Sequence, residues 1–125
     1  MKFEYRYERG FYLPIIEVIL EFKNNKIRTD ALVDSGASIS MFKSEIGRAL
    51  GIDIEAGSKK IFQSASAKLI GYIHEVNITI ADKNFKTKIA FSDDLSTSFN
   101  LLGRLGIFEK FNITFRENGK EIIFE

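Results

Sequence analysis

The chain has 125 residues, of which 45% are hydrophobic and twelve are Phe, enough apolar mass for one modest core, and it reads as a single domain over 1–125. Lys and Arg (18) nearly balance Asp and Glu (17), so charge gives no ground for a nucleic-acid or membrane-surface partner. The absence of cysteine rules out disulfides, thiolate metal sites and thiol nucleophiles and fits a cytoplasmic protein; the charged "MKFEYRYERG" start lacks a signal-peptide core, and no apolar run approaches the roughly 18 residues of a membrane helix.

Strand patterns dominate. Phe3, Tyr5 and Tyr7 alternate with Lys2, Glu4, Arg6 and Glu8, which predicts one half-buried strand. "PIIEVILEF" predicts a second, with Ile16, Val18, Leu20 and Phe22 on one face and Pro14 at its start. A turn at Lys23–Lys26, with Asn accepting positive φ, leads into "IRTDALV" and Asp34. "KSEIGRAL" predicts a short helix, capped by Ser40 or Ser44 and closed by Gly51. Strands follow at "KKIFQ" and "KLIGYIHEVNITIA", joined by the small-residue tip "SASA", and "ADKN" turns the chain into "FKTKIAF". After the polar "SDDLSTS" come the apolar "FNLLG", a second short helix at "RLGIFEKF", and two strands around the Asn118-Gly119 turn. "GRALGI" (47–52) is echoed by "GRLGI" (103–107), as an internal duplication would produce.

The run Ala31-Leu32-Val33 ends on a carboxylate, Asp34, then Ser35 and Gly36. An ionised carboxylate at the end of a buried strand is costly unless hydrogen-bonded. Gly36 allows a tight turn and close backbone donors, and Ser35 adds a hydroxyl. Such a supported, partly desolvated carboxylate suits general acid–base work. The bland alternative is an ordinary Asp-Ser-Gly β-turn; the apolar run before it and the helix after it argue against that.

Three features in order make the sequence resemble the retropepsin-like aspartic proteases. "LVDSGAS" (32–38) is similar to that family's apolar-apolar-Asp-Thr/Ser-Gly-Ala element. "NLLGR" (100–104) is similar to its apolar-apolar-Gly element. A flap-like hairpin, "IFQSASAKLIGY", lies between them. The resemblance implies an all-β fold, a closed, mostly antiparallel β-barrel with one or two short helices and internal pseudo-twofold symmetry. It implies a homodimer, because the chain carries one such Asp and the mechanism needs two, with a twofold axis through the pair. Asp34 would be the catalytic carboxylate. Ser35 would donate its hydroxyl across the axis, and Gly36 would orient the carboxylates. Gly103 would let Leu101 and Leu102 pack beneath the catalytic turn. Ala37 and Ser38, with a flap tip of Ser64, Ala65, Ser66, Ala67 and Lys68, would bind an extended peptide by strand addition. Two departures stand out: Ser38 replaces a second Asp that would pair with Arg104, and the flap lacks a Gly-rich tip and an evident aromatic, Tyr72 lying well past it.

Other candidates have simpler readings. His74 is the sole histidine and occupies a strand position, so a multi-His metal site is excluded; no metal or cofactor is expected. Asp93-Asp94 reads as a solvated loop, and Lys86 and Lys88 as a solvent face. The sequence therefore reads as an aspartic endopeptidase acting on peptides as a homodimer. The rival is a catalytically silent domain of the same fold used for dimerisation or peptide binding.

Overall fold

The computed structural model describes residues 1–63 and 65–125. Its centre is a ring of hydrogen-bonded strands. β4 (Ile15–Phe22) and β5 (Asn25–Val33) form an antiparallel hairpin in which Ile15 faces Leu32 and Phe22 faces Asn25. β5 continues the sheet to β10 (Asn100–Leu102) in parallel, and β10 to β6 (Met41–Lys43) in antiparallel fashion. β6 runs parallel to β9 (Lys83–Ser92), which pairs antiparallel with β8 (Lys68–Ile80). β8 returns to β4 at Leu20↔Ile78, closing the ring, and also carries β7 (Ser58–Gln63) as an outer hairpin strand. The expected closed, mostly antiparallel all-β fold is present, with two parallel pairs built in. Among the described residues no helix is long and apolar enough to cross a membrane.

The ring encloses the core. Alternation on β4 puts Ile16, Val18 and Leu20 inside and Glu17 outside. They pack with Phe42, Val76, Ile78, Ile80, Ile89, Phe91, Leu102 and Ile107, all nearly or fully buried. Lys86 and Lys88 are exposed, as alternation on β9 requires.

The N-terminal pattern is not one strand. β1 (Lys2–Glu4) pairs with β12 (Glu121–Phe124), which pairs with β11 (Ile113–Arg116); β2 (Arg6–Glu8) forms a separate hairpin with β3 (Phe11–Leu13). The break falls at buried Tyr5, whose N–H donates to the Lys120 carbonyl and whose hydroxyl donates to Glu117. The terminal strands thus pair with each other inside one chain and need no second chain to do so.

Turn chemistry departs from expectation at several points. Left-handed residues are Lys23 in the β4–β5 turn and Lys120 before β12, not the neighbouring Asn or Gly. Helix α1 (Ser44–Ala49) forms as expected and ends on Gly51 at φ 83°. Neither serine caps it: Lys43 stands at the N-cap, Ser44 is already helical, and Ser40 Oγ accepts from the Gly103 N–H. The second helix does not form. Arg104–Ile107 is a turn followed by a 3-10 segment, Phe108–Lys110, because Gly106 turns left-handed at φ 77° and breaks the right-handed run. The sequence echo is therefore partial. Gly51-Ile52 and Gly106-Ile107 each place a left-handed glycine before a buried isoleucine, but Gly47 lies inside a helix and Gly103 at the end of a strand.

Candidate active site

β5 delivers Ala31 and Val33 into the core and stops at half-buried Asp34. The Asp34 N–H donates to the Leu102 carbonyl at 3.0 Å, extending the parallel β5–β10 pairing by one bond. The Ala37 N–H closes the turn onto the Asp34 carbonyl at 3.1 Å. Within that turn the Gly36 N–H donates to Asp34 Oδ1 at 2.9 Å. A Cβ on residue 36 would lie 3.2 Å from the same oxygen, so glycine permits the close approach. Oδ2 accepts no hydrogen bond among the described residues. The apolar strand thus ends on a carboxylate with one oxygen held and the other open. Ser35, beside it, is exposed.

Beneath the turn sits the end of β10. Leu101 and Leu102 face Leu32 and Val33, and buried Gly103 abuts the Ile39 backbone so closely that a Cβ would lie 2.5 Å from its carbonyl carbon. The Gly103 N–H donates to fully buried Ser40 Oγ at 2.9 Å. The Arg104 and Leu105 N–H groups strap the Ala37 and Ser38 carbonyls at 2.9 Å each. Asn100, also buried, joins the neighbouring strands: its Oδ1 accepts from the Lys43 N–H and its Nδ2 donates to the Asp30 carbonyl. The Arg104 guanidinium is exposed and makes no ion pair among the described residues, in keeping with serine at position 38.

A cleft of about 880 Å³ opens beside the turn. Gly36, Ala37 and Ser38 form one wall and exposed Ala65, Ser66, Ala67 and Lys68 of the β7–β8 hairpin another, with Leu101 between. Ser64 lies outside the described residues. Asp34, Ser35, Leu102 and Gly103 do not line the cleft; the first two adjoin Gly36 and the others lie behind the turn. The sequence reading missed Ile39, Met41, Phe62 and Leu95, which are among the apolar residues lining the cleft. Phe62 gives the hairpin arm an aromatic, packed over Gly71; its place two residues before "SASA" was the available signal.

His74 stays structural: its Nε2 donates to the Ile54 carbonyl at 2.7 Å and its ring meets Phe91 edge-on. Among the described residues no three His, Asp or Glu side chains converge as metal ligands do.

Comparison with known proteins gives the fold its relatives. A retropepsin-like aspartic protease from Rickettsia conorii superposes with a TM-score of 0.74 at 20% identity, over 99% of this chain and 89% of that one. The EIAV protease complexed with an inhibitor superposes with a TM-score of 0.62 at 18% identity, over 84% of this chain and 93% of that one. At these identities the likeness is one of fold. No curated protein matches the sequence. The family model described as aspartyl protease matches residues 18–104, a span that holds both the Asp34 turn and the Leu101-Leu102-Gly103 support, and the chain belongs to that family.

Proposed function

We propose that the protein is an aspartic endopeptidase, active as a homodimer, in which Asp34 of each chain forms the catalytic pair. One observation carries the reading: the Asp34 carboxylate is fixed through Oδ1 by the Gly36 N–H, is open at Oδ2, and adjoins a cleft of about 880 Å³. Family membership adds the chemistry and the fold its precedent.

Two carboxylates a few ångströms apart do not both ionise cheaply, so the working pair carries one proton; the aspartic proteases are the standard example of this principle. The ionised oxygen takes a proton from a water held between the two Asp34 side chains. The protonated partner hydrogen-bonds the scissile carbonyl as the water's oxygen attacks its carbon. Collapse of the resulting diol breaks the C–N bond, and the amine leaves with a proton from the pair. Ser35 grips the opposite turn across the axis. The β7–β8 hairpin, with Ala65 to Lys68 at its end, closes over the peptide, and the wall of Ala37 and Ser38 holds peptide backbone.

The test is cleavage of a complex peptide mixture by wild type and by Asp34→Asn. Wild type should cut and Asp34→Asn should not, while sedimentation finds both dimeric. Cleavage by purified Asp34→Asn would refute the mechanism, and an inert wild-type dimer would leave a silent domain of the same fold.

A further inference from the structure

The adjacent carboxylates Asp93 and Asp94, read from sequence as solvated, both have partners. Arg48 of α1 donates to Asp93 through Nη1 and Nη2 at 3.0 and 3.1 Å. Asp94 Oδ2 accepts from the Ile70 N–H at 2.9 Å. The Ser92 hydroxyl donates to the Ile70 carbonyl at 2.6 Å and accepts from the Asp94 N–H at 3.0 Å.

These bonds sit where the β8–β9 ladder stops. Its last rung joins Tyr72 to Phe91. In the same register Ile70 would stand against residue 93, but the chain leaves the sheet there. Two side chains take over both backbone groups of Ile70, the donor by Asp94 and the acceptor by Ser92. Ser92 is buried at the end of β9, and Asp93 is tied to α1, so the clamp is anchored on the ring. Asp94 itself borders the cleft, and beyond it runs the hairpin arm, whose Ile61, Phe62, Leu69 and Ile70 also border it.

The geometry points to Asp94 and Ser92 as positioning residues that fix the pivot of the β7–β8 hairpin and hold its arm at the height an extended peptide requires. This rests on the peptidase reading above. Neither residue touches the reacting atoms. Their loss should weaken substrate binding, in the ground state and the transition state alike, and leave the chemical step in place.

The test uses the full-length protein with Asp94→Ala, Ser92→Ala and Asp94→Asn, the last of which keeps an oxygen to accept from Ile70. Two readouts are taken: hydrogen exchange at the Ile70 amide, and KM and kcat on a cleaved peptide. Asp94→Ala should speed exchange and raise KM about tenfold, the equivalent of one hydrogen bond to a charged group, with kcat within about twofold of wild type. Ser92→Ala should raise KM in the same direction, and Asp94→Asn should restore most of both quantities. Unchanged exchange in Asp94→Ala would overturn the clamp. So would a KM rise shared equally by Asp94→Ala and Asp94→Asn, which would make Asp94 a charge felt by substrate rather than a tether. A wild type that cleaves nothing would defeat the peptidase reading, and exchange at Ile70 would then decide the clamp alone.

Discussion

Gly103→Ala puts a methyl where the structure has no room. The new Cβ would lie 2.5, 2.6 and 2.9 Å from the Ile39 carbonyl carbon, carbonyl oxygen and amide nitrogen. All three are backbone atoms, so no side-chain rotation relieves the clash. Either β10 retreats, stretching the Leu102 carbonyl away from the Asp34 N–H, or the Ile39 segment moves and breaks the Gly103–Ser40 bond. Overpacking of this kind costs about 1–3 kcal/mol, and a backbone clash belongs near the upper end. An entropy of unfolding of about 2.1 cal/mol/K per residue over this chain makes 1 kcal/mol worth about 4 °C in melting temperature, so Tm should fall by about 8–12 °C. Gly119→Ala is the control: its nearest neighbour would be 3.5 Å away, ordinary contact, and its stability should stay within about 0.5 kcal/mol of wild type. Thermal melts followed by circular dichroism compare the two. If Gly103→Ala melts with Gly119→Ala, the close approach of β10 to the Asp34 turn is wrong. If the methyl is absorbed by the turn, kcat/KM should fall as well.

Asn100→Ala should cost about 1–3 kcal/mol, because it strands the half-buried Lys43 N–H and removes a donor from the Asp30 carbonyl; a lowered urea midpoint with an unchanged slope is the expected readout. Burial first, and then the hydrogen bond and charge of Glu117, push the Tyr5 phenol up to about 12. The folded state therefore holds this proton more tightly than the unfolded chain. Stability from this group is complete below pH 10 and declines as pH rises through the folded value, so absorbance titration should show one of the four tyrosines ionising late, and Tyr5→Phe should remove that step. Ser35→Ala removes two symmetry-related hydrogen bonds from the proposed dimer and should raise its dissociation constant by about one to two tenfold steps; an unchanged constant in analytical ultracentrifugation would count against the grip across the axis.

The sequence by itself determined the features that depend on near neighbours. Period-two alternation marked β4 and its buried face, and Gly51 marked the end of α1. The apolar run into Asp-Ser-Gly marked the turn that the structure builds around Asp34. Tertiary structure decided what depends on distant partners. β6 is three residues long, too short to show a period, and is a strand only because β9 and β10 flank it. The first alternating segment divides because Tyr5 is claimed by residues 117 and 120. "RLGIFEKF" has helical composition, yet Gly106 within it turns left-handed at φ 77° where it meets Thr87, and a left-handed residue breaks a right-handed helix. The same limit hid the apolar cleft wall and the partners of Asp93 and Asp94. Periodicity reports which face of a strand is apolar; which carbonyl a given N–H meets is fixed only when the ring closes and brings remote segments into register.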